Sequence, residues 1–147
     1  MHKWLLMIPA LIAGSLIPIQ SGINAKLSGQ MVHPLQATFV SFLMGLLLVS
    51  VILLFLRPTM PANSTWGQLP WYLYTGGMLG VVFVTAALML VPRIGIANFV
   101  VAALTGQMVV SMCLDHFGAF GVPVHPIQWP RLAGVVLLAV GVILVQK

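Results

Sequence analysis

The sequence predicts an all-α membrane protein: one bundle of five spanning helices in a single integral membrane domain, residues 1–147. Two observations carry that class. Apolar residues make up 61% of the chain and charged residues only 5%, whereas a soluble domain needs roughly 25% charge to cover its surface. Mean hydropathy is accordingly high, at +1.12. The apolar residues also fall into five long runs separated by short polar corners. A run of about twenty such residues crosses a bilayer as a helix rising about 1.5 Å per residue.

The same composition excludes several function classes. A pI near 10.2 suggests nucleic acid until the charges are located. The six Lys and Arg are scattered singly, with no basic patch or stripe, so no nucleic-acid partner is expected. The single Cys113 excludes an intrachain disulfide and reads as a small apolar filler. His2, His33, His116 and His125 lie in expected loops or termini, without the spacing of a ligand pair on one helix, so no metal or other cofactor is expected. Asp115 is the only acid and no nucleophile-elbow pattern occurs, which argues against an enzyme.

The first run, residues 4–25, follows Lys3. Its apolar part is too long for a cleaved signal segment and four more runs follow, so it is read as a retained helix. Pro9 and Pro18 should kink it, since each removes a backbone donor and crowds the preceding turn. Gln20 and Asn24 stand four apart on one face, with Ser21 beside them. Amides at membrane depth need partners, which makes these residues candidates to line a polar cavity. The competing reading is interhelical hydrogen bonding, worth only about 0.6 kcal/mol on average.

The corner KLSGQMVHP (26–34) is a short connection. In the second run, residues 35–56, Gln36 is followed by Thr38, Ser41 and Gly45 at spacings of three and four. That is a stripe of small residues, which lets another helix approach closely. Arg57–Pro58 ends the run, and the connector 59–69 is the most loop-like stretch of the chain. Trp66, Trp71, Tyr72 and Tyr74 crowd the start of the third run, residues 70–91, in the manner of an interfacial aromatic belt. Gly76 and Gly80 give that run a G-xxx-G packing face.

The fourth run, residues 94–114, opens after the charged corner Pro92–Arg93. Asn98 and Thr105 share one stripe, while Gln107 and Ser111 lie nearly opposite. One stripe should face a cavity and the other a neighbouring helix, and the sequence leaves open which. Asp115 closes the run, where the helix macrodipole disfavours a negative charge. A loop amide, the start of the next helix, Arg131 or His116 should compensate it. A structural tie between the fourth and fifth helices is preferred here over proton coupling. The fifth run, residues 129–146, carries Gly134 and Gly141 one heptad apart.

Five crossings put the termini on opposite sides. Lys3, Arg57 and Arg131 then face one side and Lys26, Arg93 and Lys147 the other. Orientation normally follows an excess of Lys and Arg on cytoplasmic loops, and here the excess is zero. The expectation is dual topology, with the chain inserting both ways up and pairing antiparallel. The alternative is a fixed orientation set by the first helix or the aromatic belt.

The stretch ALMLVPRIGIANFVVAALTGQMVVSMCLDHFG (87–118), followed by WPRLAGVVLLAVGVIL (129–144), resembles the closing half-repeat of the drug/metabolite transporter superfamily. There a helix ends in a Gly-plus-acid step before a Gly-rich apolar last helix. Asp115 stands where that superfamily usually has Glu, but without the preceding Gly. With five runs and the opening IPIQSGINAKL (17–27), nearly the whole chain is similar to the small YdcZ-like branch of that superfamily.

The resemblance implies a half-size bundle of the bacterial inner membrane that pairs as an inverted dimer of about ten helices, its site near the bilayer midplane. The expected activity is transport of a small metabolite or organic cation by alternating access. The expected partners are the lipid bilayer, a second copy in the opposite orientation and a small-molecule substrate. Gln20, Ser21, Asn24, Asn98, Thr105 and Gln107 are the candidate cavity residues, and Asp115 a helix-end structural or coupling residue. Small multidrug exporters of the superfamily use a Glu in their first helix, but no acid precedes Asp115 here, so that exchange mechanism does not carry over. A neutral, weakly polar or aromatic-compatible substrate is favoured. The rival is a non-transporting scaffold or assembly subunit, which would pair off the same polar groups in dry helix contacts.

Overall fold

Most large apolar side chains among the described residues are exposed. The computed structural model describes residues 3–146, so His2 and Lys147, both counted above, lie outside the described residues. Among the described residues every regular element is helical: α1 (Lys3–Ser28), α2 (Pro34–Leu56), α3 (Asn63–Gln68), α4 (Gly76–Ile94), α5 (Ile96–Phe117) and α6 (Trp129–Val145), with 3-10 turns at Trp71–Tyr74 and Ala119–Gly121. Ser21, Asn24 and Thr38 are buried, as are Ala37, Ala87, Leu88, Val91, Phe99 and Met112, whereas Leu11, Phe39, Leu54 and Phe55 are widely exposed. Polar groups in the core and so many exposed Leu and Phe depart from the soluble pattern. Hydrocarbon solvates Leu and Phe, so close helix packing falls to small residues and interhelical hydrogen bonds.

The helix ends follow from local chemistry. α1 runs unbroken through Pro9 and Pro18 and closes with the Gly29 N–H donating to the Ala25 carbonyl. α2 opens on a capping box around Pro34: the Leu35 N–H donates to His33 Nδ1, and the His33 N–H donates to Gln36 Oε1. It ends at Arg57, left-handed at φ 42°, whose N–H donates to the Leu53 carbonyl at 2.8 Å. Pro58 cannot continue the helix.

Four helical segments are long and apolar enough to cross a membrane: Met7–Ser28, Pro34–Leu56, Trp71–Ile94 and Ile96–Phe117. The apolar α6 has 17 residues, about 25 Å at the helical rise, against a hydrocarbon core of about 30 Å. Several boundaries differ from the sequence reading: α1 continues to Ser28 and α5 to Phe117, and the connector 59–69, read as loop, holds the short helix α3. Pro92 and Arg93 belong to the last turn of α4, and the break comes at Gly95, whose φ of 84° and ψ of 159° suit glycine alone. The third helix proper starts at Gly76, because Trp71–Tyr74 winds as a 3-10 turn.

The chain divides into two compact units, Met1–Leu90 and Val91–Lys147. In the first, α1 packs on α2, and α2 meets α4 through a hydrogen bond of 3.0 Å between the hydroxyls of Thr38 and Thr85. Gly80 lets α4 approach Phe42, for a Cβ there would stand 3.2 Å from the ring. In the second, α6 returns along α5. The connector between them is held by the His125 N–H donating to the Asp115 carbonyl at 2.9 Å.

Candidate functional site

The polar residues of the first unit converge where α1, α2 and α4 meet. Asn24 is 6% exposed, and its Oδ1 accepts a hydrogen bond of 3.1 Å from the Ser41 hydroxyl. Ser21, one turn earlier on α1, is also buried. Thr38 sits one turn before Ser41 on α2, bonded to Thr85 and back to the Pro34 carbonyl at 3.4 Å. These hydroxyls and the Asn24 amide therefore tie three helices together, α1 to α2 and α2 to α4.

Beside this cluster lies a groove of about 370 Å³. Gln20 and Ser41 give its polar wall, while Phe42, Gly45, Leu46, Val49 and Val84 give an apolar one. No ionisable group lines it. Gly45 is the central residue of α2 and has no atom within 4 Å of where a Cβ would stand, so the groove reaches half-depth of that helix. Gln20 is exposed to the groove and makes no hydrogen bond among the described residues. Its amide offers one acceptor and two donors against an otherwise apolar cleft.

The other candidate residues belong to the second unit. Asn98 donates from Nδ2 to the Ile94 carbonyl at 2.7 Å, and its Oδ1 is buried with no partner. Thr105 is half-buried and bonds back to the Val101 carbonyl at 2.9 Å. Gln107 and Ser111 are exposed, and Ser111 bonds the Met108 carbonyl. The stripe of Asn98 and Thr105 is thus the covered face of α5, and that of Gln107 and Ser111 the open one.

Asp115 lies in the last turn of α5, and its Oδ2 accepts from Arg131 at 3.2 Å, joining the end of α5 to the start of α6. The two side chains are 39% and 40% exposed. An ion pair that open is worth about 0–1 kcal/mol. The neighbouring His116 accepts at Nδ1 from the Ile127 N–H at 3.4 Å.

Sequence reasoning singled out Gln20, Ser21 and Asn24 and named Thr38, Ser41 and Gly45 as a packing stripe. It missed that α2 supplies most of the groove, and it missed Thr85. One signal was present: Thr85 is the only polar side chain between Gly80 and Pro92.

Comparison with known proteins addresses the whole chain. The profile of the family described as "Putative inner membrane exporter, YdcZ" matches residues 5–144. The chain is 26% identical over 135 residues to the Inner membrane protein YdcZ of Escherichia coli (strain K12), covering 92% of this chain and 90% of that protein. No solved structure matches it. A family match over almost every residue, on a chain of long apolar helices, shows that this multi-pass protein of the bacterial inner membrane belongs to the YdcZ family.

Proposed function

We propose that the protein is a small transporter that works as an antiparallel homodimer, each chain crossing the membrane five times. The family description as an exporter supports transport as the activity. The equal split of Lys and Arg supports dual topology, and two inverted copies create the inverted repeat on which alternating access is built. α6 takes part as the fifth span; at 17 residues it is accommodated by local thinning of the bilayer.

One observation carries the substrate reading: the groove beside Gln20 and Ser41 holds a free amide and no charge. A permanent ionic charge has no counter-charge there. The cargo is therefore a small, neutral, weakly polar or aromatic molecule, with an organic cation admitted only where amides and the Phe42 face stabilise it. Alternating access exposes Gln20 to the two sides in turn.

A second reading, a non-transporting assembly subunit, is favoured by the Asn24–Ser41 and Thr38–Thr85 pairs, which satisfy polar groups in helix contacts. Gln20 separates the two. In everted vesicles screened with neutral aromatic metabolites and quaternary ammonium ions, Gln20→Leu should abolish transport while expression and dimer size stay unchanged. Asn24→Leu, which also breaks the Ser41 bond, should lower both transport and stability. Normal transport by the Gln20 variant would move the substrate path out of this groove.

A further inference from the structure

The first unit is chemically different at its two ends. At one end, the connector from Arg57 to Thr75 carries Trp66, Trp71, Tyr72 and Tyr74, which are 51%, 78%, 46% and 52% exposed. These rings are presented by ordered backbone. The Tyr74 hydroxyl donates to the Trp66 carbonyl at 2.6 Å, closing the connector on itself, and Trp71 meets Tyr72 edge to face. Arg57, at the head of the connector, has no acidic partner among the described residues. At the other end, residues 29–33 contain neither Trp nor Tyr.

We infer that this end is a docking surface for the lipid headgroup layer and that the aromatic anchor of the first unit lies in one leaflet only. The spans fix the occupant, because a connector at the mouth of α2 and α4 lies at headgroup level, continuous with the bilayer contact of those helices. Indole and phenol rings settle there, with an apolar body toward the chains and a polar edge toward glycerol and phosphate. The Arg57 guanidinium, which has no acidic partner among the described residues, complements the phosphates. The end that carries residues 29–33 has the exposed Lys26 but no Trp or Tyr, so it lacks the aromatic part of that hold.

Depth-dependent fluorescence quenching tests this in phosphatidylethanolamine/phosphatidylglycerol vesicles. Variants retaining only Trp66 or only Trp71, the other tryptophans changed to Phe, are matched to the parent in helical circular dichroism. Each should be quenched several-fold more by lipid labelled at headgroup level than by lipid labelled at mid-chain, and only weakly by aqueous iodide. Strong iodide quenching would put the connector in water. Protection from all three quenchers would mean that protein covers it. Either result overturns the inference. For the other end, a bimane on Val32→Cys in a Cys113→Ala background should respond to iodide and not to headgroup-level lipid. Headgroup quenching at position 32 would show that both ends are anchored and would end the one-leaflet reading.

Discussion

Asn98 carries a fully buried carbonyl oxygen with no hydrogen-bond partner, although its amide nitrogen is satisfied by the Ile94 carbonyl. A buried acceptor left unpaired costs about 1–3 kcal/mol. Replacing it with Leu removes that cost at similar volume. Asn98→Leu should therefore unfold at the same or a higher temperature than the parent in thermal scans, while transport falls if the oxygen receives a donor from substrate. Retained transport together with a lower melting temperature would make Asn98 a packing residue. Asp115 shows the opposite balance. Its ion pair with Arg131 is exposed, so its energy is small, and what it fixes is the register between the end of α5 and the start of α6. Arg131 was one of four partners the sequence allowed. Choosing among them requires the path of the connector, which no local pattern encodes.

Helices were the most legible features, because a run of apolar residues bounded by Gly, Pro and charge has one solution in hydrocarbon. The second run, read as 35–56, is α2 at Pro34–Leu56. Legibility failed where backbone dihedrals decide. Pro92 looks like a corner, yet α4 carries it inside its last turn, without an N–H for the Leu88 carbonyl, and the turn is made by Gly95. The groove was half legible: Gln20 is a polar residue in an apolar run, but Phe42 and Val84 gain meaning only once α2 and α4 are side by side. At this scale Gly118 gives a sharp expectation. It caps α5 at φ 60°, and a Cβ would stand 2.8 Å from Val124 Cγ2. Gly118→Ala should cost about 1–2 kcal/mol for the left-handed backbone alone, read as a lowered unfolding temperature. Adding Val124→Ala should return only the steric part. Gly134→Ala, inside α6 with nothing within 4 Å, should instead stabilise by about 0.5–1 kcal/mol.

At the scale of the whole molecule the proposed five crossings would split Lys and Arg three against three, which does not choose a side. Aromatic girdles are equally at home in both interfaces, so the girdle of the first unit does not choose one either. An inverted pair would give each leaflet one girdle, which a parallel pair would not. Small changes in charge should then tip the balance. Two Lys added between Arg57 and Trp66 should send that connector to the cytoplasm, and two added near Arg93 should send it the other way. Each biased variant alone should be inactive, lacking an oppositely oriented partner, and co-expression of the two should restore transport. The readout is thiol labelling of Met60→Cys and Val32→Cys, each in a Cys113→Ala background, from both sides of the membrane; both native side chains are exposed, at 65% and 96%. With the native charges, each position should label from both sides. Labelling from one side only, Met60→Cys and Val32→Cys on opposite faces, would mean that every chain inserts the same way, and the antiparallel dimer would fall with that result.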